Sequence, residues 1–264
     1  MATLVCFHAH PDDEAIATGG TMAKAAADGH RVVLVTATRG EHGEVAEGFL
    51  DPGEELWQRR EQELGDAAKA LGVARYEFLG YVDSGMMGVP ENDVPGCFWQ
   101  AEVDQAARRL ADILEEEQAD VLTVYDDTGG YGHPDHIQVY RVGVRAAEMA
   151  RTPKVYESTL DNDYIKSLWA MADELGMPLP DDLGDPEEFT MGKPASEITT
   201  RVDVAGFLDQ KRQAMAAHAS QISETSFFLN MPPPAFAAIW GLECYILRGA
   251  PAGTAETSVF EGLA

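Results

Sequence analysis

Basic residues are scarce in this chain. Its 264 residues hold 19 lysines and arginines against 45 aspartates and glutamates, a formal net charge of −26. A surface of that sign repels phosphate backbones and argues against nucleic acid as a partner. Cysteine is rarer still. Cys6, Cys97 and Cys244 are scattered and form no CxxC, so neither a disulfide framework nor a cysteine-built zinc site is expected. Cys6 and Cys244 fall in apolar runs and are expected as buried thiols. No apolar run approaches about 18 residues, so no membrane span is expected. The opening MATLVCFHAH lacks the basic stretch and cleavage motif of a secretory leader. A reducing, cytoplasmic setting follows as the expectation. GxGxxG is missing after the first apolar run, which weighs against a dinucleotide enzyme. Nothing forms a coiled-coil seam, and a homo-oligomer is left open.

What the chain does have is 45% hydrophobic residues, enough for the core of one large α/β domain. Short β-branched or apolar runs at 3–9, 31–38, 75–81, 120–126 and 153–159 read as strands. Helical patterns at 13–28, 54–72, 100–118 and 135–150 separate them. That alternation implies right-handed βαβ units and a Rossmann-like open, mostly parallel sheet flanked by helices. Beyond residue 160 the pattern loosens. Residues 176–196 read as a surface excursion, 200–221 as a strand-to-helix unit, 241–249 as a last strand, and the final 15 residues as a mobile tail. The expected division is an α/β catalytic core over 1–160 and a less regular C-terminal part over 161–264. The latter completes the sheet and the substrate pocket.

Two stretches share the letters His-Pro-Asp: AHPDDEA at 9–15 and GYGHPDHIQ at 130–138. Each follows an expected strand and opens an expected helix. Proline suits the first helical position, and aspartate suits the helix start. In an open parallel sheet, ligands bind beyond the carboxyl ends of the strands, and the first and fourth strands flank the switch point in the common doubly wound order. Both motifs therefore aim into one crevice. Two histidines and a carboxylate, with one position left for water, make an open catalytic zinc set. His10 and Asp13 are three apart and can reach one metal. The third ligand is His133 or His136. Asp12 is left over as a base for a water that the metal acidifies.

The same residues resemble the LmbE-like (PIG-L) family of metal-dependent N-acetylglucosaminyl deacetylases. Within it they are most like the branch of mycothiol biosynthesis deacetylases and mycothiol S-conjugate amidases. The likeness rests on AHPDDE, RGEHGEV (39–45), LGYVDSGMMG (79–88) and GYGHPDH, and covers residues 1–160 well; AHASQ (217–221) extends it in outline. The resemblance implies His10, Asp13 and His136 as metal ligands and Asp12 as the general base. It implies His133, held by Asp135, as the group that stabilises the oxyanion or acts as acid. Tyr131 matches a mobile tyrosine that polarises the carbonyl. Glu44, Arg60 and Asp83 match groups that grip sugar hydroxyls. Zinc is the implied metal, with iron(II) as an alternative. A carboxylate-paired His133 is expected to stay cationic to higher pH.

The implied reaction is hydrolysis of the N-acyl amide of an amino sugar or its conjugate, releasing free amine and a carboxylate. A thiol-conjugate amidase and a glycopeptide or glycolipid deacylase are the near alternatives. A catalytically silent sugar-binding module is the alternative of another class. Several residues carry plainer expectations. Glu14 caps a helix or supports His10, while His8 supports the site from its strand. His42 and His218 are exposed or structural. Met86 and Met87 line the pocket or merely pack. Trp57 and Trp99 are buried. The Glu115–Glu117 run is a solvated helix face.

Overall fold

A computed structural model describes residues 1–177 and 189–263. The chain opens with β1 (Thr3–His8), α1 (Asp13–Ala17), α2 (Gly19–Ala27), β2 (Arg31–Thr36), α3 (Leu56–Ala70) and β3 (Arg75–Phe78). It continues through α4 (Val103–Glu116), β4 (Val121–Tyr125), the single irregular turn α5 (Gly129–Gly132), α6 (Pro134–Ala150) and β5 (Lys154–Thr159). Then come α7 (Asn162–Ala170), α8 (Ala172–Leu175), β6 (Thr200–Asp203), α9 (Leu208–Ala217), α10 (Pro233–Trp240) and β7 (Leu242–Leu247).

One seven-stranded sheet runs β3-β2-β1-β4-β5-β7-β6. Its first five strands are parallel. Residues alternate along each strand, so Leu4 and Cys6 pack on one face while Val5 and Phe7 pack on the other. The first face is covered by α2, α3, α9 and α10, through Met22, Leu64, Met215 and Phe236. The second is covered by α4 and α6, through Leu110, Leu114, Val139 and Val142. Helix α6 approaches closely at Gly143, where a Cβ would collide with Val124 of β4. All three cysteines are buried and unpaired.

The α/β class and the switch point between β1 and β4 are as expected. Three features are not. The last two strands reverse the sheet: β7 runs antiparallel to β5, and β6 antiparallel to β7. Hydrophobic runs mark a strand but not its direction. The expected helix at 13–28 is two helices broken at Thr18, whose φ is −135°. There Thr18 Oγ1 meets His8 Nε2 at 2.8 Å, and the Gly20 and Thr21 amides donate to the Glu243 carboxylate at 2.8 Å each. Glu243 thus serves the new helix start from across the sheet. The tail is anchored rather than loose. Glu256 pairs with Thr200 and accepts from Tyr156 and Lys154, Val259 is buried, and Phe260 stacks on His30. Of the expected excursion at 176–196, residues 178–188 lie outside the described residues. Its far end returns through the pairing of Lys193 with Asp161.

Candidate active site

All the expected site residues but Arg60, which lies within α3, follow the carboxyl ends of parallel strands. The AHPDDEA motif follows β1, the loop carrying Gly40 and Glu44 follows β2, and the loop carrying Asp83 follows β3. Tyr131, His133, Asp135 and His136 follow β4. Tight β-strand pairing brings residues more than a hundred positions apart to one crevice.

Asp13 is the hinge of the cluster. One carboxylate oxygen takes the His10 amide at 2.8 Å and lies 3.3 Å from His10 Nδ1, while the other lies 3.3 Å from His136 Nε2. His10 Nε2 faces Asp135 at 3.2 Å and Asp83 at 3.5 Å. One ring nitrogen from each of His10, His133 and His136 lies within 4.8 Å of the others, as do one ring nitrogen of His10 and one carboxylate oxygen each of Asp83 and Asp135. Burial alone would lower the His10 pKa, but Asp83, Asp13 and Asp135 outweigh it and raise it well above the usual value. Burial would raise Asp13, but the charges of His136 and His10 bring it well below the usual carboxylate range.

The cluster suits a cation. His136 Nε2 is buried without a hydrogen-bond partner, and it faces Asp13. A metal between His10, Asp13 and His136 would satisfy that orphaned nitrogen and offset the packed carboxylates. The ring of His136 is fixed for this by Tyr125, stacked on it at 4.2 Å; Tyr125 in turn bonds His8 Nδ1 at 2.9 Å. His8 therefore supports the site through a tyrosine.

Asp12 sits beside this set in an unusual backbone conformation, with φ 117°. Such a conformation costs a residue with a Cβ on the order of 1–3 kcal/mol and persists only where its surroundings enforce it. Burial pushes the Asp12 carboxyl up to about 6, with the Arg60 guanidinium pulling the other way.

His133 differs from expectation. Its Nδ1 accepts the Asp135 amide at 3.1 Å, as the residue preceding α6. The Asp135 carboxylate is occupied elsewhere, by the Ser84 amide at 2.9 Å, the Ser84 hydroxyl, and His10. Burial and the neighbouring His10 and His136 lower His133 to about 4. The imidazole is thus neutral near pH 7 rather than cationic. Because Nδ1 accepts, the single ring proton belongs on Nε2.

The remaining expected residues separate. Tyr131 hangs at the mouth, 51% exposed, with its ring 4.9 Å from that of His136. Glu44 is exposed on the loop after β2. Asp83 is buried against His10 and accepts the Gly85 and His42 amides. Arg60 is 3% exposed and committed to protein groups: the Gly40 and Pro11 carbonyls and the Asp12 carboxylate at 3.2 Å. Gly40, at φ 67°, leaves the space that this guanidinium fills. Arg60 is a brace beneath Asp12. Trp57, expected inside, is 37% exposed beneath Arg39, and Trp99 is half-buried under Arg141. Met86 and Met87 are exposed. Glu14 bonds Asp12 and His218 rather than His10. Ser84, Glu14 and His218 lie in the quoted motifs LGYVDSGMMG, AHPDDE and AHASQ, but the contacts of Ser84 with Asp135 and of Glu14 with His218 were not read from them.

A sequence profile described as PIG-L: GlcNAc-PI de-N-acetylase matches residues 5–147. The chain belongs to this family. Among its relatives, the Acidothermus cellulolyticus protein is 41% identical over all of this chain and 96% of its own length. The Thermobifida fusca protein is 43% identical over 83% of each chain. Both are named 1D-myo-inositol 2-acetamido-2-deoxy-α-D-glucopyranoside deacetylase. Solved structures share the fold. The N,N'-diacetylchitobiose deacetylase of Pyrococcus horikoshii superposes with a TM-score of 0.61 at 23% identity, covering 93% of this chain and 83% of that one. The 4-carboxy-2-hydroxymuconate hydratase of Pseudomonas putida reaches 0.58 at 20% identity, covering 95% and 98%. A hydratase on the same fold shows that the reaction is decided by the site and not by the sheet. Among the described residues of this family member, no helix is long and apolar enough to cross a membrane.

Proposed function

We propose that this protein is a zinc-dependent deacetylase that removes the acetyl group from a 2-acetamido-glucose joined to myo-inositol. The observation that carries the chemistry is the placement of Asp12 beside the His10–Asp13–His136 set, with the protonated edge of His133 facing the same crevice. The substrate follows from the full-length relatives and their names.

His10, Asp13 and His136 would hold the zinc. When bound, it would polarise the acyl carbonyl and bring the pKa of a water to about 7. Asp12 accepts the proton of the attacking water. With its pKa near 6, it is mostly ionised at pH 7 yet basic enough for the task. As the C–N bond breaks, the same carboxyl returns the proton to the departing amine. His133 Nε2 donates to the oxygen that gains charge, as a neutral donor held in one tautomer by the Asp135 amide. Tyr131, at the mouth, supplies a second donor to that oxygen. Glu44 meets a sugar hydroxyl at the rim, with Asp83 behind it.

The test is incubation of zinc-loaded protein with the N-acetylated inositol glycoside, followed by mass spectrometry for the free amine. A panel of thiol-sugar S-conjugates and acylated glycopeptides runs in parallel. Preferential cleavage of either of those would overturn the substrate assignment. Failure of every N-acyl sugar to react would overturn the activity.

A further inference from the structure

We propose that Glu14, locked by His218, is a positioning residue that holds Asp12 in its left-handed backbone conformation and so aims the base. The inference rests on the reading of Asp12 as the base and deepens it.

Asp12 and Asp13 are adjacent, yet their carboxylates have different partners. Asp13 turns to His10 and His136, while Asp12 turns to Arg60. The backbone twist at Asp12, φ 117°, separates them. A residue with a Cβ leaves that region unless it is held. The side chain is held by Arg60. The backbone is held by Glu14, whose Oε2 accepts the Asp12 amide at 2.9 Å. The other oxygen of Glu14 accepts from His218 Nε2. Both members of the pair are fully buried. His218 arrives from the end of α9, 204 residues later in the chain. Among the described residues His218 Nδ1 has no partner, so the hydrogen bond of its side chain there is the one to Glu14. A glutamate and a histidine, both removed from solvent, are thus committed to one backbone amide of the base. The C-terminal part of the chain thereby sets the geometry of the N-terminal motif.

The test compares Glu14→Ala, Glu14→Gln, His218→Ala and Asp12→Ala, with the Asp12→Ala/Glu14→Ala double variant, on the acetylated inositol glycoside. Glu14→Ala is expected to lower kcat by about 10²-fold, the scale of a misplaced reacting group. KM and zinc per chain stay at wild-type values, and the Asp12 amide exchanges faster by NMR. Glu14→Gln, which keeps an oxygen for that amide, returns most of kcat. In the Asp12→Ala background, Glu14→Ala costs nothing further. Where Glu14→Ala does not fold, His218→Ala carries the same expectations. Wild-type kcat in both Glu14→Ala and His218→Ala would overturn the inference. So would a loss of zinc, or a double variant that falls by the product of the single losses. A wild-type rate in Asp12→Ala would instead overturn the base reading, and this inference with it.

Discussion

At the scale of single residues, the proposed mechanism separates binding of a cation from handling of protons. Asp13 bridges two histidines, and a buried His136 nitrogen lacks a partner. Replacing His10, Asp13 or His136 with alanine should therefore lower zinc per chain, read by elemental mass spectrometry. Tyr131 is half exposed, so Tyr131→Phe should leave the unfolding free energy within about 0.5 kcal/mol while kcat falls. Ser84 is different. Its buried hydroxyl donates to the buried Asp135 carboxylate and accepts from the Trp99 amide. Ser84→Ala should cost about 1–3 kcal/mol in urea unfolding, since it leaves buried groups unsatisfied. The His-Pro-Asp motifs were legible in the sequence because each is a short local stretch at a strand end. Ser84 with Asp135 was not, because the contact spans 51 positions and depends on two loops meeting. The protonation of His133 was misread for a related reason. The sequence places Asp135 beside it, but only the structure shows that the amide, and not the carboxylate, faces the ring.

At the scale of elements, long-range ion pairs lock the helices to the sheet. Lys211 of α9 is 1% exposed and reaches both Glu243 of β7 and the Ile16 carbonyl. Lys211→Ala would strand Glu243 in the interior and should cost about 3–5 kcal/mol in urea unfolding. The end of α4 is tied to β2 and β3 by Glu117, held by Arg31 and Arg75. The hydrogen bond from Arg31, with that from Arg75, depresses the Glu117 carboxyl from 4.5 to about 2. A depressed carboxyl contributes stability that is present above pH 4.5 and lost as the pH falls towards 2. Glu117→Gln should therefore flatten the loss of stability across that window, measured by denaturant titration at each pH. The strand-and-helix alternation through β5 was readable from periodicity. The break at Thr18 was not, since its cause is Glu243, more than two hundred residues away. The reversal at β7 was also invisible, because direction is set by the connection and not by the strand's own pattern.

At the scale of the whole molecule, two parts of the chain make one site. The proposed metal set and base come from the first 136 residues, and the sheet is finished by β6 and β7. Removing metal should lower the thermal midpoint, because packed carboxylates lose their counter-charge, and added zinc should restore it. The central claim is that Asp12 is the base and not a ligand. Asp12→Ala tests it most directly, through kcat and zinc per chain measured on the same preparation. A loss of about 10²–10⁴-fold in kcat with zinc unchanged is the predicted result. Turnover at the wild-type rate, or zinc lost along with activity, would contradict it.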